Sequence, residues 1–328
     1  MDKKTILSGM RPTGKLHLGH WVGALSNWVK LQEEYRCFFM VADWHALMSE
    51  YKNSSVIKES VIDNVSDWLA YGIDPRASTI FVQSAVPEHL ELHCIFSVLT
   101  PLGWLYRCPT FKEQLVQLKD KEINTYAFLG YPVLQASDIT LYNSHCVPVG
   151  EDQLPHLELT REIVRRFHYI YGKVVFNEPQ ALLTKDPRFM GLDGRKMSKS
   201  YNNSITLDEE DASIKRKIMA MITDPARIKK EDPGHPDVCN VHHYFNVFKP
   251  DMEPQVRSWC VNAQKGCVEC KGILAGLLID FIAPRREKKL EFLRKKDYIY
   301  DILKEGAGKA RETARATMAQ VKEAMGIL

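Results

Sequence analysis

Two histidines three residues apart, His17 and His20, stand at the predicted start of the first helix, with Gly19 between them. The first turn of a helix offers unpaired backbone N–H groups and the positive end of the helix dipole, and both attract phosphate. Two imidazoles on that turn can face one anion, and a side chain at Gly19 would obstruct a nucleotide lying against it. The spacing predicts a nucleotide-binding site, although such a motif by itself is more often an ordinary helix cap.

A basic loop lies far downstream, where residues 196–200 read Lys-Met-Ser-Lys-Ser after an Asp-Gly turn. Its two lysines, Lys196 and Lys199, could clamp a triphosphate and stabilise the charge that develops on leaving pyrophosphate. We predict a mobile loop that carries this charge to its ligand. A solvated loop without such a role is the plainer alternative for this segment taken alone.

Four cysteines in the second half of the chain could also do chemistry: Cys239, Cys260, Cys267 and Cys270. The chain begins without the apolar run of a signal peptide, so we expect a cytoplasmic protein, in which thiols seldom form disulfides. Thiolates bind iron-sulfur clusters and zinc alike. Zinc sites favour two close cysteine pairs, whereas only Cys267 and Cys270 form such a pair here. Four unliganded thiols are the remaining alternative.

The elements that must position these residues begin as alternating strands and helices. We predict strands at residues 5–8, 37–41 and 79–83 and helices at residues 18–34 and 56–71. This alternation predicts an α/β fold with a Rossmann-type, doubly wound parallel sheet, whose ligands bind beyond the carboxyl ends of the strands.

The first loop, residues 9–15, has the spacing of a phosphate-binding P-loop. Leu16 occupies the position where a P-loop needs a hydroxyl group for magnesium, so this loop lacks the magnesium ligand of a P-loop. The loop nevertheless follows the first strand directly. A ligand is therefore expected at this loop.

Strand signals stop after about residue 204, and the segments that follow read as helices up to a basic tail that begins at residue 284. We predict two domains, an α/β domain at 1–204 that ends in the lysine loop and an all-helical domain at 205–328. A formal net charge of +3 on 328 residues does not by itself indicate a nucleic-acid partner. No stretch reaches the roughly 18 apolar residues that span a bilayer, so we expect no membrane association.

The histidine motif and the lysine loop, in this order and separation, resemble the double signature of class I aminoacyl-tRNA synthetases. Within that class the chain resembles the tryptophanyl-tRNA synthetases along nearly its whole length, through residues 8–14, 43–46, 72–75 and 147–153. The resemblance implies activation of L-tryptophan with ATP and Mg²⁺ and its transfer to tRNA(Trp). It also implies a catalytic Rossmann domain, a helical anticodon-binding domain and a homodimer.

The same resemblance implies roles for individual residues. Transition-state charge would be stabilised by His17, His20, Lys196 and Lys199. Tryptophan would be surrounded by His45, Tyr131, Gln135, Asp138 and Gln153. ATP would contact Arg11, Thr13, Gly19, Lys112, Gly150, Asp152, Lys196, Met197, Ser198 and Lys199. The cysteine spacing resembles the iron-sulfur motif of one bacterial subgroup, which implies a 4Fe-4S cluster, rather than zinc, at Cys239, Cys260, Cys267 and Cys270.

Three rival interpretations remain at this point. Tyr131, Gln135 and Asp138 also match the helix of tyrosyl-tRNA synthetases, so a tyrosine-specific enzyme is the nearest rival, although residues 147–153 favour tryptophan. A nucleic-acid-binding iron-sulfur or zinc protein without catalysis is the second rival. An unrelated nucleotidyltransferase with a His-x-x-His helix start is the third. Of these, only a synthetase accounts for both the late lysine loop and a basic helical domain.

Overall fold

A five-stranded parallel sheet is the framework of the larger part of the chain. The computed structural model describes residues 3–108, 122–183 and 189–327. The strands are β1 Thr5–Met10, β2 Arg36–Val41, β3 Ser78–Val82, β4 Cys146–Val149 and β5 Gln180–Leu183. Their order is β3-β2-β1-β4-β5, and every neighbouring pair is parallel. The order reverses between β1 and β4, where the ligands of doubly wound sheets bind. The predicted fold class is confirmed.

In the described residues, helices alternate with these strands along the sequence and continue after the last strand. They are α1 Leu18–His20, α2 Ser26–Glu34, α3 Asp43–Glu50, α4 Ser55–Ala70, α5 Glu88–Leu99, α6 Leu102–Tyr106, α7 Tyr126–Leu141, α8 Leu154–Tyr171, α9 Asp211–Ala220, α10 Asn240–Phe248, α11 Glu253–Val261, α12 Cys267–Arg294 and α13 Lys296–Met325. A π-helical turn, Trp21–Leu25, joins α1 to α2. No helix among them is long and apolar enough to cross a membrane.

Strand β2 is apolar and buried from Cys37 to Val41, as is typical of a strand in a parallel sheet whose two faces are both covered. On one face Phe39 stacks on Trp28 with ring centroids 4.6 Å apart, and the edge of Trp68 meets Trp28 at 5.2 Å. On the other face Phe38 stacks on Tyr142 at 4.5 Å. These buried aromatic contacts make the sheet a rigid platform for the loops at its carboxyl edge.

The chain forms two compact units that differ from the two domains predicted from sequence. The sheet unit contains Met1–Gly14, Asn27–Lys185 and Lys295–Leu328, and the helical unit contains Lys15–Ser26 and Asp186–Arg294. The predicted domains, 1–204 and 205–328, therefore do not coincide with the units. The two histidines and the lysine loop belong to the helical unit, whereas the last helix belongs to the sheet unit.

Helix α13 belongs to the sheet unit because small side chains let it lie directly on β3. A Cβ at Gly306 would overlap the carbonyl oxygen of Ile80, so only glycine permits this approach. Ala310, Ala314 and Met318 continue the same face of the helix and are buried in the core of the sheet unit. The four-residue spacing of the small residues was the sequence signal for this packing.

Candidate active site

The start of α1 is held by the segment that follows the lysine loop. Leu18 N–H donates to the Ile205 carbonyl at 2.9 Å, and Leu207 N–H donates to the Leu16 carbonyl at 3.0 Å. The two short stretches therefore lie antiparallel around His17, which is the N-cap residue of α1. This pairing lies within the helical unit and fixes the point at which the helix begins.

The two histidines are in contact at that helix start. His17 N–H donates to Nδ1 of His20 at 3.1 Å, and the ring centroids are 3.9 Å apart. Burial, helped by the charge of Lys199, lowers the pKa of His17 from 6.5 to about 4. His17 is therefore neutral at pH 7, and its ring offers a phosphate an N–H group rather than a cation. Among the described residues, Nδ1 of His17 is buried without a hydrogen-bond partner.

Gly19 is the residue at which the two signatures meet. Its N–H donates to the sulfur of Met197 at 3.3 Å, although 178 residues separate them. A Cβ at Gly19 would lie 3.0 Å from Cε1 of His17 and 3.5 Å from Cβ of Met197. The sequence suggests that a side chain at Gly19 would obstruct a nucleotide. In the structure such a side chain would also crowd His17. The structure also brings the helix start and the lysine loop together within the helical unit.

The backbone of the lysine loop is fixed by Asn203, which is 2% exposed. Ser198 N–H donates to Oδ1 of Asn203 at 2.8 Å, and Nδ2 of Asn203 donates to Asp193 at 2.7 Å and to the Lys196 carbonyl at 3.2 Å. The side chains of Lys196 and Lys199 remain exposed. The sequence alone indicates no role for Asn203, because the partners of an asparagine side chain are set by the folded loop.

Asp208 ties the same region to the long helix α12. Its carboxylate accepts from Lys15 at 2.7 Å, from the Thr206 hydroxyl at 2.8 Å and from Lys289 at 3.2 Å. Burial alone would raise the pKa of Asp208, but the ammonium groups of Lys289 and Lys15 hold it at about 2. Lys289 is only 1% exposed, so one cation of the predicted basic tail serves the interior of the unit. The contacts of Asp208 with Lys15 and Lys289 were not predicted from the sequence.

In the sheet unit, Asp138 is the centre of a buried polar group. The residue is 2% exposed on α7, and it accepts from Nε2 of His45 at 2.7 Å, Nδ1 of His89 at 2.7 Å and Nε2 of Gln83 at 2.8 Å. Burial opposes ionisation, but His45 and His89 hold the pKa of Asp138 at about 2. Gln135, one turn earlier, is half-buried. His89 and Gln83 were not among the sequence-based candidates.

A second hydrogen-bonded chain begins at Tyr131 on the same helix. The Tyr131 hydroxyl lies 2.8 Å from Nε2 of His156, and Nδ1 of that ring lies 3.0 Å from Oε1 of Gln153. Burial lowers the pKa of His156 to about 4. Gly150 starts the turn after β4, where Asp152 is exposed. The structure thus joins Tyr131 to Gln153 through a histidine that sequence analysis did not select.

The loop after β1 carries the remaining candidates in the described residues. Thr13 N–H donates to the Arg11 carbonyl at 2.9 Å, which closes a tight turn directly beyond the strand. Gly14 has φ of +97°, a conformation that favours glycine, and its N–H donates to the Ser60 hydroxyl at 2.8 Å. Lys112, predicted to reach ATP, lies outside the described residues.

The four candidate cysteines line one pocket of the helical unit. Burial raises the pKa of the Cys270 thiol to about 12, and its nearness to the thiols of Cys239, Cys260 and Cys267 adds to this rise. Gly234 leaves room for them, since a Cβ there would lie 2.5 Å from the sulfur of Cys260. In the ranges that the structure describes, no three His, Cys, Asp or Glu side chains form a group that could hold a metal ion.

Known proteins resemble this chain over its full length. The family of class I tRNA synthetases for W and Y matches residues 2–280. The chain is 49% identical to the tryptophan–tRNA ligase of Thermotoga maritima over 98% of this chain and 99% of that protein. It is 41% identical to the tryptophan–tRNA ligase of Ralstonia nicotianae over 100% of this chain and 99% of that protein. The chain belongs to the tryptophanyl-tRNA synthetases.

Solved structures agree with that family. The tryptophanyl-tRNA synthetase of Campylobacter jejuni, complexed with ADP and tryptophan, has a TM-score of 0.88 and 32% identity, and covers 98% of this chain and 100% of its own. The tyrosyl-tRNA synthetase of Archaeoglobus fulgidus has 20% identity and a TM-score of 0.70, and the match covers 88% of this chain and 90% of that chain. At this identity the likeness shows a shared fold and nothing more. This synthetase is an enzyme, and the three rival interpretations, including the tyrosine-specific one, are wrong.

The two buried neutral histidines predict a loss of stability in weak acid. His17 and His156 have pKa values of about 4 in the folded state against 6.5 when exposed, so the unfolded state binds more protons between these values. Stability should fall as the pH falls from 6.5 to 4, by about 2 kcal/mol for each histidine at pH 5. Folding lowers the pKa values of Asp138 and Asp208 from 3.8 to about 2, so the stability that these two carboxylates contribute is lost as the pH falls from 3.8 to 2.

Urea unfolding at pH 7.5 and pH 5.0 measures this effect. The His156→Gln variant, which keeps a polar side chain but cannot be protonated, should lose less stability between the two pH values than the parent does. Equal losses in parent and variant would show that His156 is not buried in its neutral form.

Proposed function

We propose that this synthetase joins the carboxylate of L-tryptophan to the α-phosphate of ATP with release of pyrophosphate, and then transfers the tryptophanyl group to the 3′ end of tRNA(Trp). The contact between Gly19 of the helix start and Met197 of the lysine loop carries this function. Both reacting groups belong to substrates, so no side chain need act as a covalent nucleophile. The rate enhancement rests on positioning and on stabilising phosphate charge.

The helical unit supplies the main groups for the triphosphate. His17 is neutral, so the positive charge that leaving pyrophosphate needs comes from Lys196 and Lys199, while His17 and His20 provide ring nitrogens. Mg²⁺ accompanies ATP and shares this charge. Met197 and Ser198 contact ATP through the loop. The further proposed ATP contacts are Arg11, Thr13, Gly19, Lys112, Gly150 and Asp152.

The sheet unit supplies the amino-acid pocket, with Tyr131, Gln135, Gln153 and His45 around Asp138. The tryptophan side chain has one polar group, the indole N–H, which is only a donor. An ionised carboxylate is only an acceptor, so Asp138 is the natural partner. Because its oxygens are already bound by three side chains, Asp138 can present an acceptor in a fixed place.

Amino-acid-dependent exchange of pyrophosphate into ATP tests the proposal directly. Exchange that requires tryptophan, and that tyrosine or phenylalanine supports at least about 10²-fold less well, is the expected result for a site that hydrogen-bonds the substrate. Absence of tryptophan-dependent exchange would refute the proposed activity. Equal exchange with tyrosine would refute the proposed specificity.

We also propose that the cysteine pocket binds a 4Fe-4S cluster through Cys239, Cys260, Cys267 and Cys270. Among the described residues that line the pocket there is no carboxylate, and a set of thiols suits a soft, thiolate-binding group. A single zinc ion would need every sulfur about 2.3 Å from one point, whereas a cluster spreads its ligands over several irons. The cluster would hold the long segment between Cys239 and Cys260 against the start of α12.

A Cys267→Ser variant should charge tRNA about tenfold less well and retain amino-acid activation, because loss of a ligand loosens the pocket but not the lysine loop. Iron, sulfide and zinc analysis after anaerobic purification, followed by both assays, measures the outcome. Cys94→Ser is the control, since Cys94 is exposed and lies in the sheet unit. Stoichiometric zinc without sulfide would refute the cluster, and unaltered charging would refute its role.

We further propose that the helical part of the chain at 205–328 binds the tRNA anticodon, and that the synthetase is a cytoplasmic homodimer. Some cations of the basic tail are paired within the fold, and others are exposed and could bind the phosphates of tRNA. Arg286 bonds to Asp211 and Lys289 bonds to Asp208, so these two cations serve the fold, whereas Lys288 and Arg294 are exposed. Charge reversal at Lys288 should weaken tRNA charging without changing amino-acid activation. Sedimentation equilibrium would give the number of copies in the assembly.

A further inference from the structure

A chain of buried hydrogen bonds runs from Asp138 into the core of the sheet unit. Nδ1 of His89 lies 2.7 Å from Oδ1 of Asp138, and Nε2 of the same ring lies 2.8 Å from the Tyr142 hydroxyl. His89 is 0% exposed and Tyr142 is 2% exposed. Neither side chain is therefore placed to touch a substrate, and any effect on the reaction must pass through Asp138.

The chemistry of the three groups sets the direction of these bonds. Asp138 is ionised and has no proton, so Nδ1 of His89 donates to it. When Nδ1 carries the single proton of the ring, Nε2 accepts from the Tyr142 hydroxyl. Burial raises the pKa of Tyr142 well above 10, which keeps this proton on the hydroxyl. The Tyr142 ring also stacks on Phe38, and this contact fixes the hydroxyl in place.

The two oxygens of Asp138 are left unequal by these contacts. Oδ1 accepts two hydrogen bonds, from His89 and from Gln83, whereas Oδ2 accepts one, from His45. A carboxylate has about four acceptor positions, two on each oxygen. Counting the described residues, the vacant position is on Oδ2. One vacant acceptor in a fixed direction suits a ligand with a single donor.

We propose that His89 and Tyr142 are positioning residues that hold Asp138 in the orientation in which Oδ2 faces the tryptophan side chain, and so determine amino-acid specificity. The inference rests on the proposed role of Asp138 in binding tryptophan. A merely structural role for the two residues would affect the melting temperature alone. If the two residues position Asp138, replacing either of them also lowers the preference of the enzyme for tryptophan over an amino acid that lacks the indole N–H.

The Tyr142→Phe variant tests the proposal, because it keeps the stacked ring and removes only the hydroxyl. In pyrophosphate exchange, the KM for tryptophan should rise about fivefold, as for the loss of one neutral hydrogen bond, while kcat and the KM for ATP stay within about twofold. The ratio of kcat/KM for tryptophan over phenylalanine should fall by the same factor as the KM rises, since phenylalanine has no side-chain donor.

Ser137→Ala is the matched control, because it removes a buried hydroxyl from the same helix that donates only to the Val133 carbonyl, at 2.9 Å. Its kinetic constants should equal those of the parent. A folded Tyr142→Phe variant with the parent's tryptophan KM and selectivity would overturn the proposal. Should that variant fail to fold, His89→Asn, whose amide N–H can replace Nδ1 but leaves the Tyr142 hydroxyl without its partner at Nε2, has the same expected and refuting results.

The outcomes separate this inference from the proposed function. Absence of tryptophan-dependent exchange in the parent would refute the function itself. Parent-like Tyr142→Phe and His89→Asn variants, beside an Asp138→Asn variant that has lost selectivity, would refute only the positioning by the buried chain.

Discussion

Replacing Lys199 with alanine is expected to slow tryptophan activation by about 10²- to 10³-fold and to leave tryptophan binding unchanged. The Lys199 side chain is exposed on its loop, and its charge helps to lower the pKa of His17. This interaction puts the ammonium group beside the proposed phosphate site. Because His17 is neutral, it supplies no cation that could replace the lost charge. An interaction made only in the transition state lowers kcat and kcat/KM together.

Single-turnover formation of the adenylate, with tryptophan affinity measured separately by calorimetry, distinguishes binding from chemistry in this variant. Lys215→Ala is the matched control, since Lys215 is also an exposed lysine of the helical unit but lies on α9. Its activation rate should equal that of the parent. If Lys199→Ala activates tryptophan as fast as Lys215→Ala does, the lysine loop has no part in the mechanism.

The Asp138→Asn variant is expected to lower the preference for tryptophan over phenylalanine by about 10- to 100-fold, because a hydrogen bond to a charged group contributes about 1.5 to 3 kcal/mol. The change removes the charge and places an NH₂ group where two acceptor positions were. Phenylalanine, which makes no such bond, should be activated with little change. The measurement is the ratio of kcat/KM values in pyrophosphate exchange.

Asparagine is a sharper test than alanine at this position. Asp138→Ala would leave donors of His45, His89 and Gln83 buried without an acceptor, and breaking a buried charged group of this kind costs about 3 to 5 kcal/mol. Loss of activity in that variant would then report unfolding. A folded Asp138→Asn variant that selects tryptophan as well as the parent would place the recognising acceptor elsewhere.

Local patterns in the sequence predicted much of the framework. The apolar run at residues 37–41 predicted a strand, and it is the β2 strand, paired on both sides. The predicted helix at residues 18–34 is present from Leu18 to Glu34, with one π-helical turn inside it. These predictions succeeded because strand and helix periodicity depends on neighbours in the chain. The compact units differ from the predicted domains because, within the sheet unit, α13 packs on β3, a contact between residues far apart in sequence.

The sequence by itself determined the two signatures, their order and the helix that carries Tyr131, Gln135 and Asp138. Only the tertiary structure decided which groups these residues meet: Asn203 under the lysine loop, Lys289 beside Asp208, and His89 behind Asp138. It also decided that His17 is neutral. The physical reason is that hydrogen-bond partners and desolvation depend on neighbours in space, which come from distant parts of the chain.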